Sequence, residues 1–226
     1  MRQSLHLATL ATAALLAATT LPAHADPTFS YEVTITNTTY NQRFTPMLLT
    51  THSPTVAIFK AGEPASQKLR TLAEEGNVAP LKGVLDGLRE VTATVAGNAL
   101  LEPGKSVTFR IQANPWRDRL SMAAMLIPTN DAFMALNAVG LPFPGGSQAR
   151  FTAVAYDAGT EVNDELCASI PGPDFAECGG SGGGARADRG EGFVHVHRGI
   201  HGIGNFTAAA RDWRNPVAQV SVRHVR

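Results

Sequence analysis

The chain predicts an all-β fold, an antiparallel β-sandwich of about eight strands interrupted by one short helical insertion. Three observations carry this: stretches of five to nine residues that alternate apolar and polar side chains, Gly, Pro and Asn turn chemistry between them, and helix-type composition confined to one region.

Residues 1–25 are set apart as a signal peptide. Arg2 supplies a positive start, Leu7 to Leu21 an Ala/Leu/Thr run too short for a membrane span, and Ala23-His24-Ala25 an A-x-A cleavage signature. Cleavage after Ala25 predicts a secreted or periplasmic protein whose single domain occupies residues 26–226. Formal charge is balanced, with 19 basic and 19 acidic residues, so the chain carries no electrostatic footprint for nucleic acid. No second long apolar run offers an integral membrane segment.

Phe29 to Thr36 alternates as a half-buried strand and stops at Asn37-Thr38-Thr39. Phe44 to Thr51 reads as extended, with Pro46 marking an edge or bulge. Ser66 to Glu75 is rich in helix formers and ends at Gly76, and Pro80 opens a second helical stretch through Leu88. Strands resume at Val91 to Val95, turn at Glu102-Pro103-Gly104-Lys105, and continue as Ser106 to Ala113. Leu120 to Ile127 is almost continuously apolar, as expected of a central strand buried on both faces, and breaks at Pro128-Thr129-Asn130-Asp131. Phe151 to Tyr156 runs into an acidic loop, Phe193 to His197 alternates again, and Val217 to Val225 closes the chain.

The acidic loop, Tyr156 to Glu165, packs four carboxylates and one amide around Gly159. Hard cations such as Ca²⁺ take six to eight oxygens, and carboxylates emerging from neighbouring strand ends can converge on one. Its spacing is not that of the twelve-residue EF-hand, so it needs a ligand from elsewhere, and Asp131, just past the apolar strand, is the candidate. Asp131 and Asp157 are the expected calcium ligands, with Asn163 and Asp164 within reach on the same loop. Without a cation such a cluster repels itself by several kcal/mol at an effective dielectric of about 20.

His195, His197 and His201 form a second constellation. Positions 195 and 197 share one face of a strand, and a bend at Gly199 could return His201 toward them, offering imidazoles to zinc or copper. Asp188 and Glu191 lie nearby in the Gly-rich stretch. Cys167 and Cys178, in a chain sent to an oxidising compartment, are expected to form a disulfide contributing about 2–3 kcal/mol. An enzyme is not expected. No G-x-S-x-G occurs, and although Asp131 and Asp157 could serve as a glycosidase pair, aromatic platforms for sugar are scarce.

Leu120-Ser121-Met122-Ala123-Ala124-Met125-Leu126-Ile127-Pro128-Thr129-Asn130-Asp131-Ala132-Phe133, Tyr156-Asp157-Ala158-Gly159-Thr160-Glu161 and Asn215-Pro216-Val217-Ala218-Gln219-Val220 together resemble the spondin domain, the N-terminal module of F-spondin and mindin that also occurs alone in secreted bacterial proteins. The resemblance spans roughly Thr28 to Arg226. It implies a C2-like eight-stranded sandwich, a calcium ion held by loop carboxylates that fall here on Asp131, Asp157 and Glu161, and an adhesive role toward an extracellular protein or glycan. Ala132 stands where the animal members carry a tryptophan. A monomer is the working expectation.

Overall fold

The computed structural model describes residues 27–143, 145, 148–172, 175–180, 182–184 and 190–225. The expected signal peptide and Asp188 lie outside the described residues. Among the described residues ten strands, all paired antiparallel, build one sheet that nearly closes on itself: β1 (Phe29–Asn37), β2 (Arg43–Phe44), β3 (Leu48–His52), β4 (Val91–Ala96), β5 (Ser106–Ala113), β6 (Arg119–Ile127), β7 (Ala132–Gly140), β8 (Gln148–Asp157), β9 (His195–Val196) and β10 (Ala218–Val225). The main path runs β4-β3-β6-β7-β8-β10-β1-β5, and the end strands β4 and β5 lie against one another.

Alternation of period two explains β1, where Tyr31, Val33 and Ile35 point into the core while Glu32, Thr34 and Thr36 face outward. Outward Thr34 and Thr36 pair with Thr108 and Ser106 of β5, both at 2.8 Å. The two helices form as expected. In α1 (Gln67–Glu75) the Ser66 hydroxyl accepts from the Leu69 amide at 3.2 Å, and Gly76 closes the helix at φ 66°. Pro80 lies in the first turn of α2 (Ala79–Asp86). Leu69, Leu72, Leu81 and Leu85 form a second apolar cluster with Leu48, Ala123, Phe133 and Ala135 on the back of the sheet. The opposite faces of β6 and β7 contribute Met122, Leu126 and Met134 to the main core. Burial on both faces is the reason β6 reads as an unbroken apolar run.

Two strand expectations need correction. β7 is a full nine-residue strand directly after the expected turn Pro128 to Asp131, over residues to which the sequence assigns no element. Its buried first five residues, covered by helices on one face and by the sandwich on the other, give no alternation to reveal it. The expected strand Phe193 to His197 shrinks to the two residues of β9: Val194 bonds to the loop residue Glu63 instead of to β8, while the His197 amide still donates to Ala155 of β8. The interrupted extended segment around Pro46 resolves into β2 and β3. A short helix, α3 (Ala208–Arg211), precedes β10. No helix among the described residues is long and apolar enough to cross a membrane.

Candidate metal centre

The sheet brings three chain segments together at one end. β7 pairs with β8 so that Ala132 faces Asp157, and the Ala158 amide donates to the Asp131 carbonyl at 3.2 Å. On its other edge β8 pairs with β9, placing His195 opposite Asp157. Asp157 also continues the inward row Ala153, Ala155, so the period of the strand aims its carboxylate at the mouth of the sandwich. Cross-strand neighbours of this kind stand about 5 Å apart at Cβ, close enough for their side chains to interact.

The carboxylates are buried: Asp131 is 0 % exposed, Asp157 1 % and Glu161 1 %. Asp131 Oδ2 accepts three bonds, from the Thr160 amide at 2.7 Å, the Thr160 hydroxyl at 3.1 Å and the Glu161 amide at 3.1 Å. Asp131 Oδ1 is buried and meets no hydrogen-bond donor among the described residues. Burial, reinforced by the Asp157 charge and only partly opposed by the Thr160 and Glu161 amides, pushes the Asp131 carboxyl up to about 7. Asp157 is likewise raised by burial, against bonds from the Asn163 side chain and the Gly159 amide, both 2.7 Å, and the nearby His195. Gly159 is required where it stands. Its φ is +67°, and a Cβ there would lie 2.3 Å from the Phe193 carbonyl oxygen, so the acidic loop and the segment before β9 touch backbone to backbone.

The reserve candidates are placed differently from one another. Asn163 bridges, its amide donating to Asp157 Oδ2 and its carbonyl meeting His197 Nε2 at 3.2 Å. Asp164 turns to Asn130 Nδ2 at 3.0 Å, the Leu166 amide at 3.0 Å and the Ser169 hydroxyl at 2.6 Å, so it ties the two loops together. Glu165, 2 % exposed and at φ 55°, receives the amides of His201, Gly202 and Ile203 at 2.6–2.9 Å and anchors that loop. The expected disulfide forms, with Cys167 and Cys178 5.4 Å apart at Cα.

The three histidines do not share one role. His195 and His197 both approach Asp157 Oδ2, at 3.8 and 3.7 Å, whereas His201 stands over Glu165, 4.0 Å from Oε1. His197 is buried against Trp213, with ring centroids 4.9 Å apart, and burial beside His195 and His201 holds its pKa down to about 3. Asn130, Glu165 and Glu191 are visible in the sequence but are assigned no site role there. Asn130 and Glu165 adjoin residues already singled out, Asp131 and Asp164. Glu191 is marked in the sequence only by its nearness to the three histidines. Among the described residues, Asp157, Glu191 and His195 bring ligand atoms within 4.8 Å of one another.

A Ser–His pair exists elsewhere. His52 Nε2 lies 2.8 Å from Ser121 Oγ, both residues fully buried, and the other ring nitrogen is held by the Ser53 carbonyl at 2.8 Å.

No curated protein matches the chain. The family model for the spondin N-terminal domain, Spondin_N, matches residues 31–165, from within β1 to the end of the acidic loop, Asp131, Asp157 and Glu161 included, and stops short of the disulfide and of His195, His197 and His201. With more than half the chain matched in that way, the protein belongs to the spondin N-terminal domain family.

Proposed function

We propose that this spondin-type sandwich is a secreted calcium-binding module in which the ion neutralises the acidic end and rigidifies the loops there as a recognition surface for an extracellular protein or glycan. Asp131, Asp157 and Glu161 would hold the ion, and Asn163 orients Asp157. The observation that carries the reading is Asp131 Oδ1, a buried carboxylate oxygen that meets no donor among the described residues, on a side chain whose charge is disfavoured by burial. A bound divalent cation would relieve both the desolvation and the repulsion from Asp157. The donors are all oxygens, as calcium requires. The disulfide suits an oxidising compartment, in keeping with export.

Catalysis is disfavoured by the same geometry. Asp131 and Asp157 are too buried to flank a sugar in a groove, and Ser121 is inaccessible to a substrate. The test is a calcium titration of the purified mature chain followed by calorimetry and thermal melting, with Asp157→Ala alongside. Saturating calcium at 100 times Kd raises stability by about 2.7 kcal/mol. If Asp157→Ala leaves calcium stoichiometry and melting temperature unchanged, the proposal fails.

A further inference from the structure

We infer that a second, softer metal site lies on the outer side of Asp157, formed by Asp157, Glu191 and His195 and suited to zinc or a similar transition ion. It adjoins the proposed calcium site through Asp157 but stands on different observations. Glu191 and His195 lie beyond the residues that the family model matches.

The hydrogen bonds determine which ring nitrogens are available. His195 Nδ1 lies 3.2 Å from the Phe193 carbonyl, which can only accept, so in the neutral ring that binds a metal Nδ1 carries the proton and Nε2 keeps its lone pair. That lone pair faces Asp157 Oδ2 at 3.8 Å, too far for a hydrogen bond and with no proton between to make one. Two donors each about 2.1 Å from one tetrahedral ion stand about 3.4 Å apart, so this gap fits a shared cation better than it fits a direct contact. A backbone carbonyl holding the far nitrogen of a ligating imidazole is the usual way such a ring is oriented.

His197 shows the opposite arrangement. The Gly199 amide donates to its Nδ1 at 3.0 Å, so the proton sits on Nε2, which donates to the Asn163 carbonyl. His197 therefore braces Asn163 and, through it, Asp157, and does not ligate. His201 belongs to the Glu165 loop. Of the three histidines, one is the ligand, and two carboxylates complete a three-donor set whose mixed nitrogen and oxygen character selects zinc over calcium. Glu191 is exposed and His195 only half-buried, which leaves the ion a position open to solvent or to a donor group of a partner.

Cobalt(II) is the probe, added to the chelator-stripped full chain and followed by its visible absorption, with zinc competition. One equivalent should give a band displaced by zinc. Glu191→Gln, an exposed change that leaves the fold undisturbed, and His195→Ala should each weaken cobalt at least about tenfold, while His201→Ala should leave it intact. Asp131→Asn should abolish the calcium-induced rise in melting temperature yet keep the cobalt band, which separates failure of the calcium site from failure of this one. Unchanged cobalt affinity in both Glu191→Gln and His195→Ala, equal loss in His201→Ala, or joint loss of calcium and cobalt in Asp131→Asn would overturn the inference.

Discussion

Replacing Asp131 by Asn separates a carboxylate retained for a cation from one retained for the fold, because the two roles predict opposite signs. Burial and the Asp157 charge raise Asp131 from 3.8 to about 7, a shift of about 3 units at about 1.4 kcal/mol each, so holding it ionised above pH 7 costs up to about 4 kcal/mol. An amide still accepts from Thr160 and Glu161, though more weakly than a carboxylate by about 1 kcal/mol. In excess chelator at pH 8, Asp131→Asn should therefore gain about 2–3 kcal/mol, or about 5–10 °C in melting temperature for a chain of this size. The pH dependence has a definite sign. A folded pKa above the unfolded one gives a contribution that is complete below about pH 4 and is lost as pH rises through about 7, so the calcium-free wild type weakens across that window and the variant does not. Calcium should reverse the slope in the wild type and do nothing to the variant. Melting curves from pH 4 to 8, with and without calcium, are the assay. A variant that is less stable than wild type in chelator, or one that still responds to calcium, refutes the reasoning.

Gly159→Ala should destabilise by more than about 2 kcal/mol, since it meets both a left-handed φ and the Phe193 carbonyl at 2.3 Å, and in calorimetry it should weaken calcium and cobalt together. Glu165→Gln removes the charge from an acceptor of three backbone amides and should cost about 2 kcal/mol in denaturant unfolding, with the 199–205 loop becoming the first to exchange its amide hydrogens. Reducing Cys167–Cys178, or replacing both by Ser, should lower stability by about 2–3 kcal/mol while leaving calcium stoichiometry intact, because the bridge lies beyond the ligands.

Much of this protein was legible before folding because it is written in local pattern. The alternation of β1 and β5, the Ser66 cap, the Gly76 stop and the Pro80 start are each decided within a few residues, and each appears where the sequence places it. The pairing of Cys167 with Cys178 needed no more than two cysteines and a compartment. The placement of Asp131 and Asp157 at strand ends could be foreseen because both closely follow apolar strands. β7 escaped because only its first five residues are fully buried and Asn137 to Gly140 are not, so it shows neither the continuous apolar run of β6 nor a clean alternation.

What only the tertiary structure decided is which of these groups meet and in what state. Pairing β8 with β7 on one edge and β9 on the other puts Asp157 between Ala132 and His195 and lets the Ala158 amide reach the Asp131 carbonyl, although these residues are far apart in sequence. The same packing removes water from Asp131 and so raises its pKa, a property no residue type carries by itself. It also surrounds the two rings differently, with the Phe193 carbonyl at Nδ1 of His195 and the Gly199 amide at Nδ1 of His197. The sequence by itself determined the elements, since period and turn chemistry are short-range. Charge state, proton position and ligand partnership were left to the fold, because they depend on neighbours brought in from distant parts of the chain.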